Sequence, residues 1–292
     1  MRKETAEAAE NDPDAIVIDA ERHLSDKEAE LVDSSTKLSP RAVYSVIRRH
    51  GEEELARPLK SLWWSGIAAG IGISMSVLAE GILAHELQGH PYQSLVQNLG
   101  YTVGFVLVIL AGLQLFTENT ITPVLPVLAR VYEGCFRRML VLWGVVLAAN
   151  MVGTFLVAGF FLTGAVTPEH LEGMMSVGRH YAEAAGWSAL LRGIPAGFLI
   201  AVLVWMLPKS KGFELFVIII FTFLIAAGDF THVVAGAVEV FMLVLTGELG
   251  LFAGVGTLIL PTLIGNIVGG TVIFALLAYA QVQEEIAPDD GS

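Results

Sequence analysis

The chain has 292 residues, 54% of them hydrophobic and only 16% charged, against roughly 25% charged in soluble domains. Its net charge of −12 is unevenly spread, since ten of the 17 Lys and Arg and 14 of the 29 Asp and Glu precede Trp63. What remains is a nearly uncharged apolar body with a whole-chain mean hydropathy of +0.65, which excludes a soluble globular fold and a nucleic-acid binder and points to an all-α protein of the lipid bilayer. The single cysteine, Cys135, excludes an internal disulfide and reads as an ordinary free thiol.

In chain order, residues 1–38 are acidic, lack the apolar core of a signal peptide, and read as a disordered, solvated cytoplasmic tail. Ser39-Pro40 is an N-cap followed by Pro at the first helical position. Val43, Ile47 and Leu55, with Arg41, Arg48 and Arg49, predict an amphipathic helix over 39–61, lying on the membrane face or serving as a plain linker. The transmembrane domain is expected over 62–283, followed by a short cytoplasmic tail at 284–292. At ~20 apolar residues per crossing, six spans are predicted at 62–84, 97–128, 139–163, 187–207, 213–246 and 252–281. The second and fifth are too long for one straight crossing.

Lys and Arg in short loops mark the cytoplasmic side. Arg57 and Lys60 precede span 1, Arg130, Arg137 and Arg138 follow span 2, and Lys209 and Lys211 follow span 4. The opposite loops hold Arg179 among Glu169, Glu172, Glu183 and Glu248. The expected topology is multi-pass in the cell (inner) membrane, with both termini cytoplasmic.

The two over-long spans each carry a polar break beside a Phe-Thr pair: Leu115-Phe116-Thr117-Glu118 in the second and Asp229-Phe230-Thr231-His232 in the fifth. Backbone freed at membrane depth must be buried in protein or line a cavity, and paired breaks in corresponding halves mark a substrate path. The halves echo each other elsewhere. Gly66-Ile67-Ala68-Ala69-Gly70 matches Gly193-Ile194-Pro195-Ala196-Gly197, and Asn150-x-x-Gly153 matches Asn266-x-x-Gly269. Three spans per copy invert the second copy in the membrane, predicting an inverted 3+3 repeat with broken helices 2 and 5. Packing is the expected role of Gly66, Gly70, Gly153 and Gly269.

These residues resemble the formate/nitrite transporter family over 39 to about 283. Pro58-Leu59-Lys60 resembles the family's entry to span 1, and Leu115-Phe116-Thr117 its Ω-loop motif. Asn150-x-x-Gly153 and Gly265-Asn266-Ile267-Val268-Gly269-Gly270 resemble its third- and sixth-helix motifs, and His232 falls at its central histidine. The resemblance implies an aquaporin-like fold, a homopentamer with one pore per subunit, and transport of small monovalent anions. The chain departs from the pattern at the pore. It has Asp229-Phe230-Thr231-His232-Val233 where Gly-Phe-Glu-His-Ser is typical, Gly236 and Gly197 where the family has Asn, and Glu118 where a small or polar residue is usual.

The expected chemistry follows. His232 donates a proton to an entering anion, which crosses an apolar constriction as the neutral acid and avoids much of the cost of a bare charge in hydrocarbon. Thr117 bonds the ring or the substrate. Leu115, Phe116 and Phe230 narrow the path, the two phenylalanines as symmetry mates, with Glu118, Asp229 and Thr231 beside them. Asn150 and Asn266 hold the broken backbone or line the pore. Lys60 and Arg192 belong to the vestibules, with Arg192 pairing one of Glu118, Asp229 or Glu239, while Glu80 sits solvated near the outer end of span 1. No cofactor or metal is expected. A pore for a neutral solute and a non-conducting sensor or scaffold remain alternatives. An intramembrane enzyme built on His232 and Asp229 lacks a supporting Gly-x-Ser-x-Gly or His-Glu-x-x-His motif.

Overall fold

The computed structural model describes residues 38–129 and 133–286. The expectations for the tail at 1–37, for Arg130 and for residues 287–292 lie outside the described residues. Every regular element of the described part is a helix.

The first helix, α1 (Pro40–Ala56), buries Val43, Tyr44, Ile47, Gly51 and Leu55 on one face. That face is covered by protein rather than lipid. Tyr44 meets the Tyr279 ring at 6.1 Å, and a Cβ on Gly51 would lie 1.9 Å from the Thr122 carbonyl oxygen. Only glycine allows this approach, so α1 is a docked part of the body.

Among the described residues, five helices are long and apolar enough to cross a bilayer: α2 (Leu59–Glu86), α3 (Gln93–Leu110), α5 (Cys135–Ala165), α7 (Trp187–Lys209) and α10 (Leu251–Glu284). The second predicted span is α3, an irregular stretch, and the short α4 (Val124–Leu128). The fifth is two half-helices, α8 (Glu214–Ala227) and α9 (Val233–Leu245), of 14 and 13 residues. Each reaches about 20 Å, short of the ~30 Å hydrocarbon core, so the two together make one crossing. Between α5 and α7 lies α6 (Pro168–Ala182), whose Thr167 cap accepts from the His170 N–H. Large apolar side chains such as Phe155, Phe160, Ile220, Phe252 and Leu277 are exposed on the outward faces, as a lipid-facing surface requires.

The core is made by close crossings of small residues. On α2 and α5, a Cβ on Gly70 would meet the Asn150 oxygen at 2.4 Å, and one on Gly153 would meet the Ile67 oxygen at 2.4 Å. On α7 and α10, the same tests at Gly197 and Gly269 give 2.1 Å to the Asn266 oxygen and 1.9 Å to the Ile194 oxygen. The matching pairs are the packing form of the repeat, and they set the breaks against each other at the centre.

Candidate functional site: two helix breaks joined by a histidine

The two breaks share one backbone skeleton. After α3, the N–H of Ala111 donates to Leu107, Gly112 to Ile109 and Leu113 to Val108. After α8, Gly228 donates to Leu224, Asp229 to Ala226 and Phe230 to Ile225. Each chain then turns through the left-handed region, at Gly112 (φ 63°) and Asp229 (φ 51°). Each freed segment is held by an asparagine from the helix behind it. Asn150 Nδ2 donates to the Gly66 and Gln114 carbonyls at 2.8 and 2.9 Å, and its Oδ1 accepts from Phe116 N–H at 2.9 Å. Asn266 Nδ2 donates to Gly193 and Thr231 at 2.8 and 2.9 Å, and its Oδ1 accepts from Val233 N–H at 2.9 Å.

These bonds correct the register of the repeat. Phe230 corresponds to Leu113, Thr231 to Gln114, His232 to Leu115 and Val233 to Phe116. The Phe-Thr echo is displaced by three residues and is a coincidence of composition, so Phe116 and Phe230 are not symmetry mates. Phe116 is buried edge-on against the Trp143 ring at 5.8 Å. Phe230 instead lines a cavity on the face opposite α1.

His232 ends the second break and caps α9, its Nδ1 accepting from the Ala235 N–H at 3.2 Å. Nδ1 therefore holds the lone pair and the ring hydrogen sits on Nε2, directed at Thr117 Oγ1, 2.7 Å away. Thr117 belongs to the first break, so this bond ties the two halves together. The ring is 1% exposed and takes the edge of Phe105 at 5.0 Å. Leu115, Thr117 and Val233 are equally buried. Charging the imidazole would require Nδ1 to give up the Ala235 cap.

Beyond Thr117 the first break is braced from both halves. Thr120 Oγ1 donates to the Thr117 carbonyl at 2.7 Å, and Thr271 Oγ1 on α10 donates to Thr120 at 2.6 Å. Gln114 Nε2 donates to Glu54 Oε1 on α1 at 3.2 Å, and Thr122 donates to the other Glu54 oxygen. Glu118 keeps one buried carboxylate oxygen with no donor.

The cavity opposite α1 has a volume of about 370 Å³. Into it converge Glu80 on α2, Tyr101 on α3, Tyr181 on α6, Arg192 on α7, Asp229 at the second break and Glu239 on α9. Glu80 and Glu239 are 5% and 3% exposed, so the expectation of a solvated Glu80 is overturned: α9 and α6 roof it over. Asp229 pairs with His180 at 3.2 Å. Among the described residues no ion pair joins Arg192 to Glu118, Asp229 or Glu239, so the expected pairing is not formed. Thr231 Oγ1 donates to Ala189 at 2.7 Å, spending itself on α7. Lys60 is exposed at the start of α2. Sequence reasoning missed Glu54, Gln114, Tyr101, Phe105 and Tyr181, which carry no motif.

An inverted pair of three-span units, each with a broken helix pinned by an asparagine, is the architecture of a polytopic membrane transporter or channel. The sequence profile of the formate/nitrite transporter family matches residues 41–280. Inner membrane protein YfdC of Escherichia coli is 40% identical across 94% of this chain and 89% of its own. Formate channel FocA of Haemophilus influenzae is 26% identical across 74% and 84%. The chain belongs to the formate/nitrite transporter family, whose members are channels and transporters rather than enzymes. Two solved structures share the fold at 21% identity: a pentameric formate channel with formate bound (TM-score 0.66, covering 77% of this chain and 98% of that one) and an FNT family ion channel (TM-score 0.69, covering 83% and 98%).

Proposed function

We propose that this protein carries a small monovalent anion of the formate or nitrite type, or its weak acid, and that the species crossing the centre is the neutral acid. The carrying observation is the His232–Thr117 bond, which places a neutral ring and a hydroxyl at the meeting point of both breaks, inside apolar walls. Thr117 Oγ1 accepts from Nε2–H, leaving its own hydrogen for a passing oxygen. A neutral acid accepts that bond without bringing a charge into hydrocarbon, where an ion costs several kcal/mol. Proton linkage follows, because an anion that enters on one side must gain a proton to cross. The loop charges favour an inner-membrane placement with both termini cytoplasmic, in line with the name of the YfdC relative. The cavity with Glu80 and Glu239 then faces outward. A homopentamer with one path per subunit is proposed from the pentameric neighbour.

The test is flux of a weak-acid panel into liposomes at two pH values, compared at matched neutral-acid concentration. His232→Asn keeps a hydrogen-bonding side chain near the break but alters its reach to Thr117, so flux should fall by about tenfold or more, given that ~1.4 kcal/mol is a factor of ten in rate. Unchanged flux with intact assembly would make the ring a purely structural cap.

A further inference from the structure

Two buried carboxylates in the outer cavity have no partner that explains them. Glu80 and Glu239 come from different helices, α2 and α9, and each keeps one oxygen that is fully buried and receives no hydrogen bond. Both line the same cavity. The other titratable and charged groups facing them are Tyr101 from α3, His180 and Tyr181 from α6, Arg192 from α7 and Asp229 at the second break. Asp229 and His180 are exposed and engaged with each other. Tyr181 shares a hydroxyl contact with Thr262 at 3.3 Å. The helices α5 and α10, which pack against α9, put no charged group into the cavity.

Two ionised carboxylates lining one cavity repel each other, and a proton on one of them removes that repulsion. With one proton the pair carries a single negative charge, and Arg192 lines the same cavity. The site then has one positive group to draw an anion and one acidic hydrogen to give it. His232, its Nδ1 occupied by the Ala235 cap, is poorly placed to supply that hydrogen.

We infer that Glu80 and Glu239 are the proton-exchanging groups of this protein, protonating the anion of a weak acid in the outer cavity before it reaches His232. The inference rests on the weak-acid reading above and deepens it by naming the proton's source. In the step, the carboxyl O–H of the pair breaks and a new O–H forms on the substrate oxygen. The pair, now fully ionised, takes a proton from external water, and the neutral acid moves on past Phe105 and Phe230.

The experiment measures formate uptake into liposomes holding the full chain. Neutral formic acid is held constant while formate anion is varied through pH and total concentration. Uptake by the natural protein should rise with the anion, and that anion-dependent part should fall by about tenfold or more in Glu80→Gln/Glu239→Gln, the lower end of what general acid–base assistance contributes. The part that follows neutral acid alone should persist. If the double variant keeps the anion-dependent part, or the natural protein conducts formate without one, the inference is overturned while the weak-acid reading stands. If the natural protein carries no formate in either form, both fall. Should the double variant fail to assemble, infrared difference spectra of the single variants decide the matter. A protonated-carboxyl band present in the natural protein should shift or weaken in Glu80→Gln and in Glu239→Gln, because each variant removes one member of the pair. A band unchanged in both overturns the proposal.

Discussion

The two breaks have the same skeleton and opposite chemistry. Both unwind after the same three backbone bonds, turn through one left-handed residue and hang on an asparagine with bonds of the same lengths. At corresponding positions the first break places Leu115 and the second His232. After that the halves diverge. The second resumes a regular helix at Val233, capped by His232. The first runs through a single 3₁₀ turn at Glu118–Thr120 into α4, with Pro123 and Pro126 preventing a longer helix. Much of the backbone satisfaction at membrane depth is thus assigned to one asparagine per half, which frees the neighbouring side chains to differ.

The equivalence of the braces is most sharply tested by removing them. Asn266→Ala leaves the Thr231 carbonyl and the Val233 N–H buried without partners, at about 1–3 kcal/mol each, and removes a second bond from the Gly193 carbonyl. Asn150→Ala does the same to the Gln114 carbonyl and the Phe116 N–H, and removes a second bond from the Gly66 carbonyl. Each loss should be ~3 kcal/mol or more, read as a collapse of the assembled peak in size-exclusion chromatography and a lowered melting temperature. Two similar losses are expected. A mild effect at one asparagine and a severe one at the other would break the equivalence.

The next contrast is in what lies behind each break. The second is backed by α7, through the Arg192 and Ala189 carbonyls. The first is backed likewise by α2, where Ser65 Oγ accepts from the Gln114 N–H at 3.0 Å, and in addition by α1, through Glu54. Burial raises the Glu54 pKa above the ordinary carboxylate value, with the Thr122 and Gln114 hydrogen bonds opposing it. A folded-state pKa above the unfolded one means that this contribution is full below the unfolded value, near ~4.3, and is lost as pH rises through the folded value. The docking of α1 should therefore weaken as pH rises from the acid range, seen as faster hydrogen exchange over 40–56 beyond the intrinsic rise. Glu54→Gln should flatten that dependence, and exchange over α8 and α9 should not share it.

The six spans and both breaks were legible because a bilayer imposes length and punishes free backbone. The register of the repeat was not. Phe-Thr recurs by chance, whereas the true correspondence runs through Gly112 and Asp229, which share a backbone angle and no chemistry. Burial of Glu80 was legible in part: Gly66, Gly70, Ile73, Val77, Glu80 and Ala84 form one stripe of α2, and all are buried. Its partner Glu239 lies 159 positions further along the chain, on a half-helix whose placement only the fold supplies. Glu54 was hidden for a similar reason, since an acid on an amphipathic helix normally faces water.

The smallest effect belongs to the residues that make the turn. Gly112 adopts φ 63° at no steric cost, while Asp229 holds φ 51° with a side chain, a conformation costing roughly 1–2 kcal/mol in general and less for Asp. Asp229→Gly relieves that strain but gives up the His180 contact, in which the partners are 61% and 55% exposed. An exposed pair of this kind is worth about 0–1 kcal/mol and is screened by salt. The variant should therefore be neutral or stabilised by under ~1 kcal/mol, with the gain larger at high salt, where the lost pair counts least. Asp229→Ala keeps the strain and loses the pair, and should cost about 1 kcal/mol. If Asp229→Gly destabilises more than Asp229→Ala in thermal unfolding, Asp229 is held by its side-chain contact rather than tolerated by the turn, and the backbone equivalence with Gly112 is incidental.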